Sequence, residues 1–146
     1  MIGFETSVSI ARPIEDVFAF VSDPLQLSRW NSAVYSVRKA ADRRPELDSR
    51  YSMERVLPSG RVHNELEIFA REEPTEFGIR TTSGQTPFAY RYRLSPRRQG
   101  TLVHLDGRVG LPSAASVVAP LAARAVKRGV DINFAALKRT LEGVPR

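Results

Sequence analysis

Two tyrosines, Tyr90 and Tyr92, stand where a side chain could do chemistry inside the protein. They share a parity with Phe88 and Leu94, whereas Arg91 has the opposite parity. In a strand, the two phenols therefore lie on the same face as the apolar side chains. A buried phenol needs a hydrogen-bond partner from the protein, from water or from a ligand. The two rings either face a bound ligand or complete the core.

An arginine on an earlier segment has a similarly open role. The parity that buries Tyr51, Met53 and Leu57 also turns Arg55 inward. An inward guanidinium is a candidate anchor for a carboxylate or an enolate. Alternatively, it pairs with an acidic side chain or reaches solvent at the rim of the sheet.

Asn64 and Trp30 are two further candidates. Asn64 stands among inward apolar residues, where an unpaired amide costs about 1–3 kcal/mol. It is therefore either satisfied by a neighbouring group or exposed to a wet cavity. Trp30, the only tryptophan, is placed where a second short helix meets the second strand. It either walls the entrance of a cavity or seals the end of the core.

Several kinds of chemistry are excluded. The sequence has no cysteine, which rules out disulfides, thiolate metal sites and a cysteine nucleophile. His63 and His104 both fall on the outward parity, which argues against histidine catalysis and against a metal site with converging ligands. No phosphate-binding glycine loop, serine elbow or zinc-binding helix motif is present. We therefore expect neither a metal nor a cofactor.

Length and composition are those of one ordinary domain. The 146 residues are 42% hydrophobic and 26% charged, which predicts a single globular domain over residues 1–146. No apolar run approaches the roughly 20 residues that cross a bilayer, and the N-terminus has no leader pattern. We expect a cytoplasmic protein, a monomer or a homodimer, with no integral membrane association.

The net charge of +6 and the pI of about 10.3 suggest an acidic partner. However, the basic residues are scattered singly along strands, without the clusters or motifs of nucleic-acid binding proteins. We therefore expect no nucleic-acid partner. Four arginines fall on the outward face of neighbouring strands: Arg80, Arg91, Arg93 and Arg108. They form either a basic patch that binds an acidic partner or an anionic membrane surface, or an ordinary solvated face.

The period of the apolar residues gives the order of elements. Alternation over residues 2–10 predicts a strand, and spacings of three and four predict a short helix that opens at Pro13. A second helical turn spans Pro24 to Ser28. Six strands follow, the second over residues 33–39 and the third from Ser49. From Ser113, a plausible N-cap, the period is helical as far as Glu142.

An antiparallel sheet with one apolar face must cover that face, and only the last helix is long enough to do so. The sequence thus predicts an α+β fold in which a curved seven-stranded antiparallel sheet grips a long C-terminal helix. Pro120 and Gly129 are weak points of that helix. Either the segment before Gly129 moves to admit a ligand, or Pro120 simply begins the stable helix.

Several motifs resemble those of a known family. ARPIEDVFAFVSDP (residues 11–24), followed by Trp30, is similar to the N-terminal signature of the START-like (SRPBCC) superfamily. Its polyketide cyclase/dehydrase and lipid-transport group is the best match. Further similarity lies in Glu72-Glu73-Pro74, Gly100-Thr101 and Ala136-Leu137-Lys138. The resemblance implies a helix-grip fold with a cavity for a small hydrophobic ligand, but such a scaffold serves many functions.

Two functions remain open at this stage. The first is non-catalytic binding of a lipid, isoprenoid or polyketide-like ligand in an internal cavity. The second is a cofactor-independent cyclase/dehydratase that uses tyrosine, arginine and asparagine as acids and oxyanion donors. No spacing fixes a catalytic constellation. The candidate ligand-binding residues are Trp30, Tyr51, Met53, Arg55, Asn64, Phe77, Phe88, Tyr90, Tyr92 and Phe134.

Overall fold

The alternating segments are strands in the computed structural model, which describes residues 1–40, 50–110 and 119–143. The strands are β1 (Ile2–Ile10), β2 (Val34–Lys39), β3 (Arg50–Leu57), β4 (Gly60–Glu72), β5 (Glu76–Gly84), β6 (Phe88–Arg97) and β7 (Gly100–Val109). The described helices are α1 (Ile14–Val21), a 3₁₀ helix (Pro24–Arg29) and α2 (Ala119–Glu142).

The strands form one antiparallel sheet in the order β1-β7-β6-β5-β4-β3-β2. Strands β2 to β7 follow one another as a meander. β1 forms the edge of the sheet beside β7, with which it pairs along its whole length. β4 has register irregularities against β5 at residues 65–66 and 68–70, and such bulges bend a strand. The predicted curved seven-stranded sheet with a long C-terminal helix, the helix-grip fold, is confirmed.

Local signals begin the two short helices that follow β1. Pro13 is the N-cap of α1, whereas the sequence predicted it at the first helical position, which Ile14 occupies. Asp23 caps the 3₁₀ helix, since its Oδ1 accepts a hydrogen bond from the Leu25 N–H at 3.1 Å, and Pro24 occupies a first-turn position that needs no N–H donor. The 3₁₀ helix packs against β2, and α1 contacts β6 and β7. The two helices therefore cover one end of the sheet.

Helix α2 buries its apolar stripe mainly in its second half. Phe134, Leu137 and Leu141 are buried in the same core as the inward strand residues. Val126 and Val130, nearer the N-terminus, are only partly buried against it. Within the described residues, no helix has the length and apolarity that a bilayer crossing requires.

A polar clasp, formed by Ser9, Ala11, Lys138 and Glu142, fixes the last turns of α2 to the end of β1. The Lys138 ammonium donates to the Ser9 carbonyl at 2.6 Å and to the Glu142 carboxylate at 2.7 Å. The Glu142 carboxylate also accepts from the Ala11 N–H at 2.8 Å. Both hydrogen bonds lower the pKa of Glu142, the one from Lys138 more. The clasp therefore keeps a charged carboxylate at the meeting point of the two chain segments.

Two predicted boundaries fall outside the described residues, namely the beginning of the third strand at Ser49 and the helix N-cap at Ser113. The described part of α2 begins at Ala119. Pro120 is the second residue of this described part. Of the two weak points predicted for this helix, only Gly129 lies in its described interior.

The outward face of the sheet contains ion pairs between neighbouring strands. Arg80 donates to Glu67 at 2.7 Å, and Arg91 donates to Glu76 at 2.6 Å. Both guanidiniums also lie over the ring of Phe69, at 5.3 and 5.1 Å from its centroid. All four predicted outward arginines lie on this face: Arg80, Arg91, Arg93 and Arg108.

We predict opposite effects for two matched glycine substitutions. Gly129→Ala should raise the free energy of unfolding by about 0.5–1 kcal/mol, because alanine is the better helix residue and a Cβ there meets nothing within 4 Å. Gly107→Ala should lower it by about 1–3 kcal/mol through overpacking, because the new Cβ would lie 2.5 Å from the Phe4 ring. Urea denaturation measures both. Destabilisation by Gly129→Ala would mean that this stretch of α2 is not a regular exposed helix.

We also predict uneven hydrogen exchange along α2. The amides of residues 123–128 should exchange much faster than those of residues 134–141. The first group lies in helical turns that are mostly exposed, whereas the second group adjoins the core and the clasp. Exchange measured by NMR on the intact protein tests this. Equally slow exchange in both groups would exclude a separately moving N-terminal half.

Candidate functional site

An aromatic row, Phe88, Tyr90 and Tyr92, runs along the inner face of β6. The ring centroids of Phe88 and Tyr90 are 4.8 Å apart, and those of Tyr90 and Tyr92 are 6.4 Å apart. The two-residue period of the strand places all three rings on one side, as the sequence predicted. Because β6 is the third strand in the sheet order, the row lies inside the sheet rather than at its edge.

At one end of the row, Tyr92 meets rings from three other elements. Its centroid lies 6.2 Å from Phe77 of β5, 6.5 Å from Trp30 and 6.3 Å from Phe134 of α2. Trp30 and Phe134 are themselves 6.3 Å apart. Trp30 is only 4% exposed, and its buried Nε1–H has no hydrogen-bond partner among the described residues. This end is an apolar wall in which the Trp30 donor is unused.

At the other end, a glycine makes room for an additional ring. Tyr90 lies opposite Gly107 of β7, which in turn lies opposite Phe4 of β1. The Phe4 ring covers Gly107 and meets Tyr90 edge-on, with centroids 5.8 Å apart. Any side chain at residue 107 would displace that ring, so the glycine determines the shape of this part of the inner face.

Arg55 approaches the same end from β3, with its guanidinium 5.3 Å from the centroid of Phe88. Its Nη2 donates to Asn64 Oδ1 at 2.7 Å, to the Thr86 carbonyl at 3.0 Å and to the Thr86 hydroxyl at 2.8 Å. The buried Nε has no partner there. Within the described part of the chain, Arg55 forms no ion pair with a carboxylate, so the acidic partner that the sequence left open is not found there.

Asn64 is satisfied by the protein itself. It is 0% exposed, and its Nδ2 donates to the carbonyls of Ser83 and Gln85 at 3.2 and 2.9 Å. These bonds are possible because Gly84, with φ of +102°, turns the end of β5 over β4. Both polar atoms of Asn64 therefore have partners within the protein, and its amide oxygen positions Arg55.

The two phenols of the aromatic row are neutral donors without a partner among the described residues. Burial raises the pKa of Tyr90 to about 12, although the Arg55 charge opposes the shift. Burial also raises the pKa of Tyr92, and Tyr90 adds to that effect. Both hydroxyls therefore keep their protons at neutral pH and are able to donate to an oxygen of a ligand.

The sequence candidates thus form two joined groups. The first, in continuous ring contact, contains Trp30, Phe77, Phe88, Tyr90, Tyr92 and Phe134; the second contains Arg55 and Asn64 beside Phe88. Tyr51 and Met53 are buried in the same core but have no aromatic contact with the row. Sequence reasoning missed Thr86, whose φ of 51° no residue pattern indicates.

The histidines lie outside this site, on the outward face of the sheet. His63 lies between two carboxylates, with Nδ1 2.5 Å from Glu54 and Nε2 2.6 Å from Glu65. The hydrogen bond to Glu65 raises the pKa of His63 most, and the one to Glu54 raises it further. The described residues contain no group of three or more metal-binding side chains arranged to hold an ion.

Comparisons with known proteins agree on the fold. The sequence model of the family described as "Polyketide cyclase / dehydrase and lipid transport" matches residues 1–142. No curated protein matches the sequence significantly.

Several solved structures share the scaffold. Protein TTHA0849 from Thermus thermophilus superposes with a TM-score of 0.79 at 18% identity, covering 95% of this chain and 96% of that one. A START superfamily protein from Mycobacterium smegmatis gives 0.78 at 17% identity, with 98% and 99% covered. The di-domain ARO/CYC StfQ from the steffimycin biosynthetic pathway gives 0.78 at 12% identity, with 97% of this chain and 51% of that chain covered.

We predict that the Tyr90 phenol titrates late. The difference in phenolate absorbance between the wild type and Tyr90→Phe should have a midpoint at about pH 12. A folded pKa above the unfolded value of about 10 means that the neutral phenol stabilises the fold below about pH 10, and that this contribution is lost as pH rises through the folded pKa. Circular dichroism at each pH shows whether the chain is folded. A midpoint near 10 in folded protein would place the phenol in water.

Proposed function

Because the chain belongs to the polyketide cyclase/dehydrase and lipid transport family, we propose that it binds a small hydrophobic or aromatic ligand against the aromatic row. The family and the fold support ligand binding or cyclase/dehydrase chemistry in general. The apolar inner face with a few polar groups supports the first of these, since binding sites for small molecules usually have that composition. Lipid, isoprenoid and polyketide-like molecules are the classes that such a wall suits.

The observation that carries the proposal is the unpaired Nε1–H of Trp30. A buried donor without a partner costs about 1–3 kcal/mol, and Trp30 retains one in the middle of a ring cluster. The phenol of Tyr92, 6.5 Å away between ring centroids, is a second neutral donor. A ligand with a flat apolar body and a carbonyl or hydroxyl oxygen would satisfy these donors while it packs against the rings.

A cofactor-independent cyclase/dehydratase is the second candidate. It is favoured by one observation, a neutral and partly buried phenol on Tyr90 close to the charged Arg55, which would polarise a ketone oxygen. Against it, the donors are distributed along the row, with Trp30 and Tyr92 at one end and Arg55 and Tyr90 at the other. Catalysis needs several groups converging on one reacting atom, and dispersed donors on an apolar wall fit a carrier better.

The proposal predicts that the neutral fluorescent probe N-phenyl-1-naphthylamine binds with about one molecule per chain. Trp30 is the only tryptophan, so excitation of tryptophan should give energy transfer to the bound probe. In Trp30→Phe, transfer should vanish, while binding, measured by direct excitation of the probe, should remain detectable but weaker, because the smaller ring keeps only part of the wall. Phe134→Leu should weaken binding at least threefold because it removes part of the wall.

Ile132→Ala is the matched control, because Ile132 lies two residues away on α2 and is 59% exposed. It should leave the probe affinity unchanged. Equal loss of affinity in both helix variants, or probe binding without energy transfer from Trp30, would place the probe elsewhere and contradict the proposal. Mass spectrometry of a solvent extract of the purified protein would then identify any natural ligand that copurifies.

A further inference from the structure

Arg55 differs from Arg80 and Arg91 of the outward face in its partners. Arg80 and Arg91 each pair with a glutamate. Within the described residues, the acceptors of Arg55 are all neutral: the amide oxygen of Asn64 and the two oxygens of Thr86. Since Arg55 is partly buried and its Nε is fully enclosed without a partner there, it keeps a full positive charge in a poorly solvated place.

That charge is costly unless an anion offsets it. Complete removal of a cation from water costs several kcal/mol, and Arg55, which is partly buried, bears a part of that cost. The contact with the Phe88 ring at 5.3 Å compensates only in part, because a cation over an aromatic face gains about 0.5–2 kcal/mol. Burial accordingly lowers the pKa of Arg55, although a guanidinium remains protonated at neutral pH.

The neutral partners hold the guanidinium in place without cancelling its charge. Asn64 is fixed by its own bonds to two turn carbonyls, and Thr86 belongs to the turn between β5 and β6. All of the Arg55 bonds in the described region leave from Nη2, so the donors on Nε and Nη1 are not used within it. A rigid, oriented and unsaturated guanidinium is the arrangement that proteins use to bind carboxylates.

We propose that Arg55 recognises an acidic group on the ligand, so that the natural ligands are organic acids, carboxylates or equivalent stabilised anions, with a hydrophobic body. This inference rests on the proposed function. The acid would lie at the Arg55 end of the aromatic row, beside the neutral Tyr90 phenol, and the apolar body would extend along the row toward Trp30. Neutral lipids and hydrocarbons of the same shape would bind more weakly.

Two probes of nearly the same shape test the inference. 1-Anilinonaphthalene-8-sulfonate has the skeleton of N-phenyl-1-naphthylamine with an added sulfonate. Arg55→Met should reduce the affinity for the sulfonate at least tenfold and change that for the neutral probe less than about twofold, whereas Arg55→Lys should retain part of the preference. Arg80→Met is the matched control, because Arg80 also lies 5.3 Å from a phenylalanine ring centroid but is paired with Glu67; it should change neither affinity.

A measurement on the wild type keeps the test independent of any variant's folding. 2-Naphthoate should displace the neutral probe at least tenfold more effectively than methyl 2-naphthoate. If acid and ester compete equally, or if Arg55→Met weakens both probes alike, Arg55 has only a structural role and the inference is overturned while ligand binding stands. If the wild type binds neither the neutral nor the anionic probe, the proposed function itself fails.

Discussion

The fold depends on holding one helix against one curved sheet, and the contact between the end of α2 and the end of β1 does this. The clasp joins two segments that are far apart in the sequence through two charge-assisted bonds, from Lys138 to the Ser9 carbonyl at 2.6 Å and from the Ala11 N–H to Glu142 at 2.8 Å. Beneath it, Leu137 and Leu141 are buried. β1 is hydrogen-bonded to β7 and β7 to β6, so the strand that carries the aromatic row is positioned from the same anchor. Phe134, which precedes the clasp on the same helix, contacts Tyr92 and Trp30.

The parity of the strands allowed much of the site to be predicted from the sequence. A period of two determines which side chains share a face, and that was sufficient to place Phe88, Tyr90 and Tyr92 together and the histidines outside. The helical stripe likewise placed Phe134 on the covered side. The parity of a strand does not predict the conformation of the turn that follows it. The partners of Arg55 and Asn64 come from residues 83–86, where Gly84 and Thr86 adopt positive φ angles, and a sequence pattern does not reveal how far such a turn folds back.

Asn64 and Arg55 differ in how fully the neighbouring groups satisfy them. Asn64 has four hydrogen-bonding sites on its amide, and the turn carbonyls and Arg55 occupy three of them, which leaves it a structural role. Arg55 has five donors, and the same neighbours cannot use them all. Both residues are inward polar groups on adjacent strands, yet only the one with excess donors retains capacity for a ligand. Counting donors against available acceptors therefore separates structural from functional polar residues more sharply than burial does.

The need for acceptors around each enclosed donor also explains how charge is distributed over the two faces of the sheet. The outward face can carry many arginines, because water and glutamates such as Glu67 and Glu76 screen their charges. On the inward face, each cation needs its own compensation, and the described part of the chain contributes none to Arg55 beyond one ring and three neutral acceptors. The incomplete compensation of Arg55 either lowers the stability of the protein permanently or is relieved when a ligand binds. Because this partly compensated guanidinium lies at the end of an apolar row whose phenols also have no described partner, its cost is concentrated where an acid-bearing ligand would lower it.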